Sequence, residues 1–218
     1  MTNLLKKNFN YRAFTMVEIL LVIGIIGIIA VITLRIIINA YEEAQYTSAL
    51  KDTYSIISDT INRIKTDNGG TLADTFTSRT TTRDEFMKYM NYIKTCDGNA
   101  SLGDCWNTDY AKRYDNGTMY SNASPGNEYN WWGMVTSRTI VLKNGSSIYF
   151  HTGTSNCSTT AECARFFVDT NGPKPPNTMG KDIYYFFVYT NRVSPNEYDA
   201  PASVGGSGAS MGKWRLYH

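Results

Sequence analysis

A long run of apolar residues near the N-terminus constrains this chain more than any other feature. The 21 residues from Phe14 to Leu34 contain one charged residue and no proline. A helix of that length extends about 30 Å, which is enough to cross the hydrocarbon core of a bilayer. Three further isoleucines follow Arg35, whose long side chain can carry its charge to the interface. The sequence therefore predicts a membrane-spanning helix over residues 14–38.

The residues before this span favour one orientation. Residues 1–13 include Lys6, Lys7 and Arg12 and no acidic residue. Cationic residues beside a span stay in the cytoplasm, so we expect the rest of the chain to lie on the outer side of the membrane. A secretory signal peptide fits less well, because the apolar run is long and no small-x-small cleavage site follows it. A plain single-span anchor is the alternative for this segment.

Glu18 is the charged residue inside the apolar run. A carboxylate at membrane depth is costly, and such groups usually have a partner and a function. A plain anchor has no use for a carboxylate at this position. Glu18 therefore favours a helix that recognises a specific partner over an ordinary membrane anchor.

The residues around Glu18 resemble the N-terminus of type IV pilins and of type II secretion pseudopilins. Those families carry a short basic leader, a small residue, Phe-Thr-x-x-Glu and a long apolar helix. Here Ala13 precedes Phe-Thr-Met-Val-Glu and then Ile-Leu-Leu-Val. The resemblance implies that residues 1–13 are a leader, that a prepilin peptidase cuts between Ala13 and Phe14, and that the new amino group of Phe14 is methylated. Ala13 replaces the usual glycine, and Arg35 stands where many pilins have proline.

The same resemblance implies a structural subunit that polymerises into a filament through its N-terminal helix. Its partners would be copies of itself, related minor subunits, the prepilin peptidase, an inner-membrane platform with its assembly ATPase, and membrane lipid. The chain would begin as a single-pass inner-membrane protein and end in a periplasmic or extracellular filament. The rival hypothesis is a monomeric, membrane-anchored extracytoplasmic binding or sensor domain.

Neither an enzyme nor a nucleic-acid-binding protein is indicated by the sequence. His151 has no serine or cysteine motif beside it, and a lone histidine is usually structural. The net charge of +2 is too small to argue for a nucleic-acid partner.

The helix is predicted to continue beyond the span as an amphipathic half over residues 39–66. No glycine or proline occurs between Asn39 and Lys65. One helical face carries an apolar stripe with spacings of 4, 3, 4 and 3: Leu50, Tyr54, Ile57, Ile61 and Ile64. The sequence Asp-Asn-Gly-Gly at 67–70 then ends the pattern. We expect this half to pack under a globular head.

The head divides into two regions by composition. Residues 67–137 are rich in Thr, Asn, Asp and Gly and are similar to the variable connecting segment of pilins, with one short helix predicted over 84–94. Residues 138–218 hold apolar runs at 139–142, 147–150, 164–168 and 183–189 and an irregular tail from Asn191. Asn144-Gly145 between two of these runs is a hairpin signal. The predicted fold class is α+β: a long helix packed on a small antiparallel sheet, as in pilins.

The four cysteines form two close pairs, Cys96 with Cys105 and Cys157 with Cys163. Disulfides suit an oxidising compartment outside the membrane. A zinc site is the alternative, although neither pair has C-x-x-C spacing and the chain has only two histidines. We expect two local disulfides.

The segment 169–182, between two predicted strands, is the candidate metal site. Asp169, Asn171 and Asp182, together with backbone carbonyls, could supply oxygen ligands to calcium, the one cofactor that the sequence suggests. Some pseudopilins bind calcium in a similar loop. The alternative is a rigid loop closed by Asx-turns without a metal, and the presence of only two carboxylates favours it.

Overall fold

The computed structural model describes residues 15–97, 103–106 and 138–195. The expected leader, both residues of the expected cleavage site and the tail from residue 196 lie outside these ranges. The first helix, α1, runs from Met16 to Asp67. Residues up to Glu42 and residues from Glu43 onward belong to two separate compact units.

The first unit is the apolar part of α1. Its large side chains are mostly more than half exposed, for example Val17 at 74% and Val31 at 73%. An 18-residue window of α1 has a mean hydropathy of 2.9 and is not buried within the chain. By length and composition α1 is a candidate for one membrane span. In water this much exposed apolar surface is unfavourable, so the segment requires lipid or protein around it.

The second unit begins with the amphipathic half of α1, residues 43–67. The predicted apolar stripe is confirmed, since Leu50, Ile57, Ile61 and Ile64 are buried. Tyr54 is half-buried, and its hydroxyl donates to the carbonyl of Val193 at 3.2 Å. The buried face is wider than the stripe because two threonines join it, Thr53 and Thr60.

The end of α1 follows the predicted stop signal. The backbone N–H of Gly70 donates to the carbonyl of Lys65 at 2.8 Å, and the amide of Asn68 donates to Ile64 at 3.0 Å. Gly69 and Gly70 have φ of 70° and 88°, a region that glycine enters without the penalty of a Cβ. The last carbonyls of the helix are thereby satisfied.

The predicted helix over 84–94 is wrong in position. Helix α2 runs from Arg79 to Met87, and strand β1 follows at Tyr92–Cys96. Ser78 and Thr81 form a capping box, in which each side chain accepts a hydrogen bond from the other residue's backbone N–H. This cap starts the helix earlier than its apolar residues indicated. Pairing with the next strand then draws the following residues into the sheet.

The remaining strands lie at the predicted positions, with one addition. They are β2 (Thr139–Leu142), β3 (Ser147–Gly153), β4 (Ala164–Asp169), β5 (Ile183–Val188) and β6 (Val193–Pro195). Neighbours in the chain are neighbours in one six-stranded antiparallel sheet, β1-β2-β3-β4-β5-β6. The two edge strands, β1 and β6, were not predicted, and β6 lies where an irregular tail was expected.

The core forms where residues 43–67 of α1 face the sheet. The buried residues of this cluster include Ile57, Phe86, Phe150, Phe166 and Phe186. On the other face of the central strands, the rings of Phe167 and Tyr185 stack with centroids 4.2 Å apart and are also buried. Burial on both faces explains why β4 and β5 are continuous apolar runs rather than alternating ones.

Both cysteine pairs are disulfides. Cys96 is bonded to Cys105 with Cα atoms 6.2 Å apart, and Cys157 is bonded to Cys163 with Cα atoms 4.7 Å apart. The first bond joins the end of β1 to the segment 103–106. The second closes the connection between β3 and β4. Both are local cross-links within the second unit.

Replacing Ile57 by alanine should destabilise the head. Ile57 is fully buried between α1 and the sheet, so Ile57→Ala should cost about 2–5 kcal/mol through lost transfer energy and a residual cavity. Ser55→Ala, an exposed substitution on the same turn, should change stability by about 0.5 kcal/mol or less. Chemical denaturation of both variants in detergent, followed by circular dichroism, measures the difference. Equal stability of the two variants would contradict this packing.

Candidate functional site

The start of α1 is closed by a reciprocal cap. The backbone N–H and the hydroxyl of Thr15 both donate to Oε2 of Glu18, at 2.8 and 2.9 Å. The backbone N–H of Glu18 donates in return to Oγ1 of Thr15 at 3.2 Å. Thr-x-x-Glu at this position is a capping box, which satisfies N–H groups that the first helical turn leaves without partners.

Glu18 therefore has a local structural role that the sequence did not reveal. Its Oε1 atom has no hydrogen-bond partner among the described residues, and an ionised carboxylate can accept about four hydrogen bonds. The cap uses one side of the carboxylate and leaves the other available. Ala13 and Phe14, the other residues predicted at this site, lie outside the described residues.

The loop between β4 and β5 holds two buried carboxylates. Asp182 is fully buried, and its two oxygens accept the backbone N–H groups of Asn177 at 2.7 Å and Thr178 at 2.5 Å. These bonds fold the end of the loop back onto itself. Asp182 thus closes the loop by hydrogen bonds from the backbone, as expected for a rigid loop without a metal.

Asp169 begins the same loop with an Asx-turn. Its Oδ1 atom accepts the backbone N–H of Asn171 at 3.2 Å, and the side-chain amide of Asn171 donates to the carbonyl of Pro175 at 2.9 Å. Oδ2 of Asp169 and Oδ1 of Asn171 are buried and have no hydrogen-bond partner within residues 15–97, 103–106 and 138–195. Buried oxygens without partners are uncommon and invite a proton, a water molecule or a cation.

A close backbone approach fixes this loop against the turn between β2 and β3. Gly172 has φ of 66°, and a Cβ placed on it would lie 2.6 Å from the carbonyl oxygen of Gly145. The hydroxyl of Ser146 donates to the carbonyl of Thr170 at 3.2 Å and shares a 2.8 Å hydrogen bond with the hydroxyl of Thr53 on α1. A buried chain of hydroxyl groups therefore connects the loop to the helix.

The electrostatics of the loop disfavour two negative charges. Burial raises the pKa of Asp169 well above its usual range, and the nearby Asp182 carboxylate raises it further. Burial raises the pKa of Asp182 to about 6, despite the N–H groups that it accepts from Thr178 and Asn177. The pair is therefore poised either to hold a proton or to be neutralised by a cation.

Calcium fits the loop only in part. Asp169 and Asn171 present free oxygens, and Asp182 brings a second carboxylate already engaged with two N–H groups. Within the described ranges no group of three or more His, Cys, Asp or Glu side chains could hold a metal ion. Calcium normally takes six or more oxygens, so backbone carbonyls or water would have to complete the set.

His151, predicted to be structural, lies in an aromatic environment on the sheet. The rings of Tyr149, Phe167 and Tyr185 meet its imidazole at steep angles, with centroids 6.3–6.4 Å away. Burial, helped by Arg79 and Arg165, lowers its pKa to about 4, so the imidazole is neutral at pH 7.

Comparisons with protein-family models, with curated proteins and with solved structures found no match to this chain.

The stability of the head should depend on pH through Asp169. Burial raises the pKa of Asp169 in the folded head above its value in the unfolded chain. The free energy of unfolding that the protonated Asp169 contributes is therefore fully present below about pH 3.9 and is lost as the pH rises through the pKa of the folded state. Asp169→Asn is neutral throughout. With a chelator present, its melting temperature relative to wild type should therefore rise by at least about 3 °C between pH 4 and pH 7.

The difference between the two proteins is the informative quantity. His151 has a lowered pKa and acts in the opposite sense, losing stability as the pH falls, but it is present in both proteins. Its contribution cancels when wild type and Asp169→Asn are compared at each pH. A difference that stays constant from pH 4 to pH 7 would show that Asp169 is ionised in the folded head.

Proposed function

We propose that this chain is a structural subunit of a type IV pilus-like or type II secretion pseudopilus filament. The observation that carries the proposal is a carboxylate at the start of an apolar helix whose side chains are exposed on all sides. Such a helix requires a surrounding medium, and in that medium a cationic partner would stabilise the carboxylate of Glu18. Lipid meets the first requirement before assembly, and the helices of neighbouring subunits meet it afterwards.

The proposed partner of Glu18 is the amino group that cleavage before Phe14 would create. Both charges would be poorly solvated in a membrane or a filament core, and each would cost several kcal/mol alone. A salt bridge between Glu18 of one subunit and Phe14 of another offsets that cost only at the correct axial register. Oε1 of Glu18 is the atom that the capping box leaves for this contact. Apolar packing supplies most of the remaining stability.

In this proposal the chain is inserted in the inner membrane with its head outside and is processed by a prepilin peptidase. An assembly platform and its ATPase then add it to a filament of identical and minor subunits. Under the rival hypothesis the chain stays monomeric, and Glu18 serves only to cap the helix. Thr15 allows the two roles of Glu18 to be separated.

Three variants should distinguish the cap from the intermolecular charge pair. Glu18→Ala removes both roles and should lower filament yield by at least about tenfold, since an unpaired buried charge costs several kcal/mol. Glu18→Gln keeps a side chain that suits a capping box but loses the charge, so its yield should be intermediate. Thr15→Ala weakens the cap by about 1 kcal/mol, keeps the carboxylate and should assemble nearly normally. Shearing and electron microscopy measure yield with each variant as the sole subunit.

Two controls accompany this experiment. Membrane levels of every variant should match wild type, and mass spectrometry should find an N-terminus at Phe14 in each. Wild-type filament yield from Glu18→Ala would refute the mechanism. An equal loss from Thr15→Ala and Glu18→Ala would show that the cap alone matters.

We also propose that the loop 169–182 binds calcium. The supporting observation is a pair of buried oxygens that no described residue hydrogen-bonds, Oδ2 of Asp169 and Oδ1 of Asn171, close to a second carboxylate. A divalent cation would neutralise both carboxylates and use the oxygens that the Asx-turn leaves free. The ion would supply charge and rigidity rather than chemistry.

Calcium should therefore raise the melting temperature of the head, and a chelator should lower it, by mass action on the folded state. At 100 times the dissociation constant the gain would be about 2.7 kcal/mol. Asp169→Asn should abolish the response, whereas Asp59→Asn, at an exposed ion pair on α1, should keep it. A wild-type melting curve unchanged by calcium would leave the loop as a metal-free turn.

A further inference from the structure

A polar cavity lies between α1 and the turn that joins β5 to β6, within the second unit. Its volume is about 210 Å³. From α1 it is lined by Tyr54, Ser58, Ile61, Asn62 and Lys65, and the turn supplies the rest, from Thr190 to Val193. Neither the loop 169–182 nor the start of α1 contributes to it.

The charged groups of this cavity have one sign. Lys65 and Arg192 line it, and none of the lining residues within the described part of the chain is acidic. Arg63, one turn before the end of α1, is instead paired with Asp59 and is not part of the wall. Two cations that line one small cavity, with no acidic residue among its described lining, favour an anionic ligand.

Both cations have N–H groups that make no hydrogen bond to a described residue. Lys65 donates from Nζ to the carbonyl of Thr190 at 3.0 Å, which uses one of the three N–H groups of an ammonium. The guanidinium of Arg192 lies 4.1 Å from the centre of the Tyr189 ring and donates from Nη1 to Thr159 at 2.8 Å. Its Nε and Nη2 groups have no hydrogen-bond partner among the described residues.

Ser58 gives independent evidence for a ligand. Ser58 lines the cavity, and its hydroxyl oxygen is buried beside it with no hydrogen-bond partner among the described residues. A buried hydroxyl without a partner costs free energy, so a residue chosen only for folding would serve better as alanine. A change of the χ1 rotamer would turn this hydroxyl into the cavity, where an oxyanion would accept its hydrogen bond.

The helix itself does not attract the anion, because the cavity is near the C-terminal end of α1, where the peptide dipoles place partial negative charge. Lys65 lies in the last turn of α1, where a cation offsets that charge. Recognition would thus come from the side chains, with Lys65 and Arg192 supplying the charge and Ser58 a neutral donor.

We propose that this cavity binds a phosphate group, either free phosphate or a phosphate monoester. Phosphate presents several oxygens to donors from different directions, and Lys65, Arg192 and Ser58 approach from the helix and from the turn. The cavity is large enough for one phosphate group with a small substituent. Its residues are distinct from those on which the filament and calcium proposals rest, and its occupancy would tie the β5–β6 turn to α1.

The test uses the full chain in detergent, with inorganic phosphate as the probe and chloride holding the ionic strength constant. The melting temperature should rise with phosphate in a saturable manner, and acetate at the same concentrations should have a much smaller effect. Phosphatidic acid added to the micelles forms a second arm: a response to the lipid alone would identify a headgroup as the source, and a response to phosphate a soluble one. No saturable response in either arm would overturn the proposal.

Three variants locate the effect. Arg192→Gln should weaken the apparent phosphate affinity by about tenfold or more, because it removes a charge-assisted hydrogen bond. Ser58→Ala should weaken the apparent phosphate affinity and leave the melting temperature without phosphate unchanged or higher. Replacing a serine with only a structural role would leave the phosphate affinity unchanged. Arg63→Gln, a cation on the same helix outside the cavity, should retain wild-type affinity. Wild-type affinity in both Arg192→Gln and Ser58→Ala would place the phosphate elsewhere and overturn the assignment.

Discussion

The burial of α1 is the constraint on which the rest of this structure depends. One half of the helix, from residue 43, gains its stability from a packed sheet, and the other half exposes nearly all of its apolar surface. The hydrophobic effect allows the second arrangement only where lipid or other helices replace water. The head buries its own apolar side chains, whereas the first half of α1 leaves its apolar side chains exposed. This asymmetry is what makes the first half of α1 a candidate for a membrane span.

The capping box changes how Glu18 is interpreted. From the sequence, a carboxylate inside an apolar run had only an intermolecular explanation. The structure adds a local one, in which Thr15 and Glu18 close the first turn of α1. The two explanations are compatible because they use different oxygens of one carboxylate. A local cap also holds the side chain in one rotamer, so the other oxygen is presented without further loss of side-chain entropy.

Much of the fold followed from residue periodicity and turn chemistry. Four features have clear local sequence patterns: the apolar stripe on α1, the stop at Gly69-Gly70, the hairpin around Asn144-Gly145, and the apolar runs of β4 and β5. The start of α2 was misplaced because the local capping box of Ser78 and Thr81 begins that helix before its apolar residues, and the errors at β1 and β6 arose where long-range pairing decides. β1 lacks alternation, with Tyr92 and Ile93 exposed, and only its pairing with β2 makes it a strand. The three residues of β6 are too few for a pattern. Neither the buried oxygens of Asp169 and Asn171 nor the cavity beside Ser58 has a sequence signal, because each depends on distant elements meeting.

The buried hydroxyl chain from Thr53 through Ser146 to Thr170 has a mechanical consequence. A buried hydrogen bond must break before its partners can separate, and breaking it leaves both polar groups unsatisfied away from water. A force that pulls α1 along its axis would therefore be resisted at Thr53 and passed to the turn between β2 and β3. From there it would spread into the sheet through the carbonyl of Thr170. Under tension the head would hold α1 through several polar contacts, of which the bond between Thr53 and Ser146 is the fully buried one.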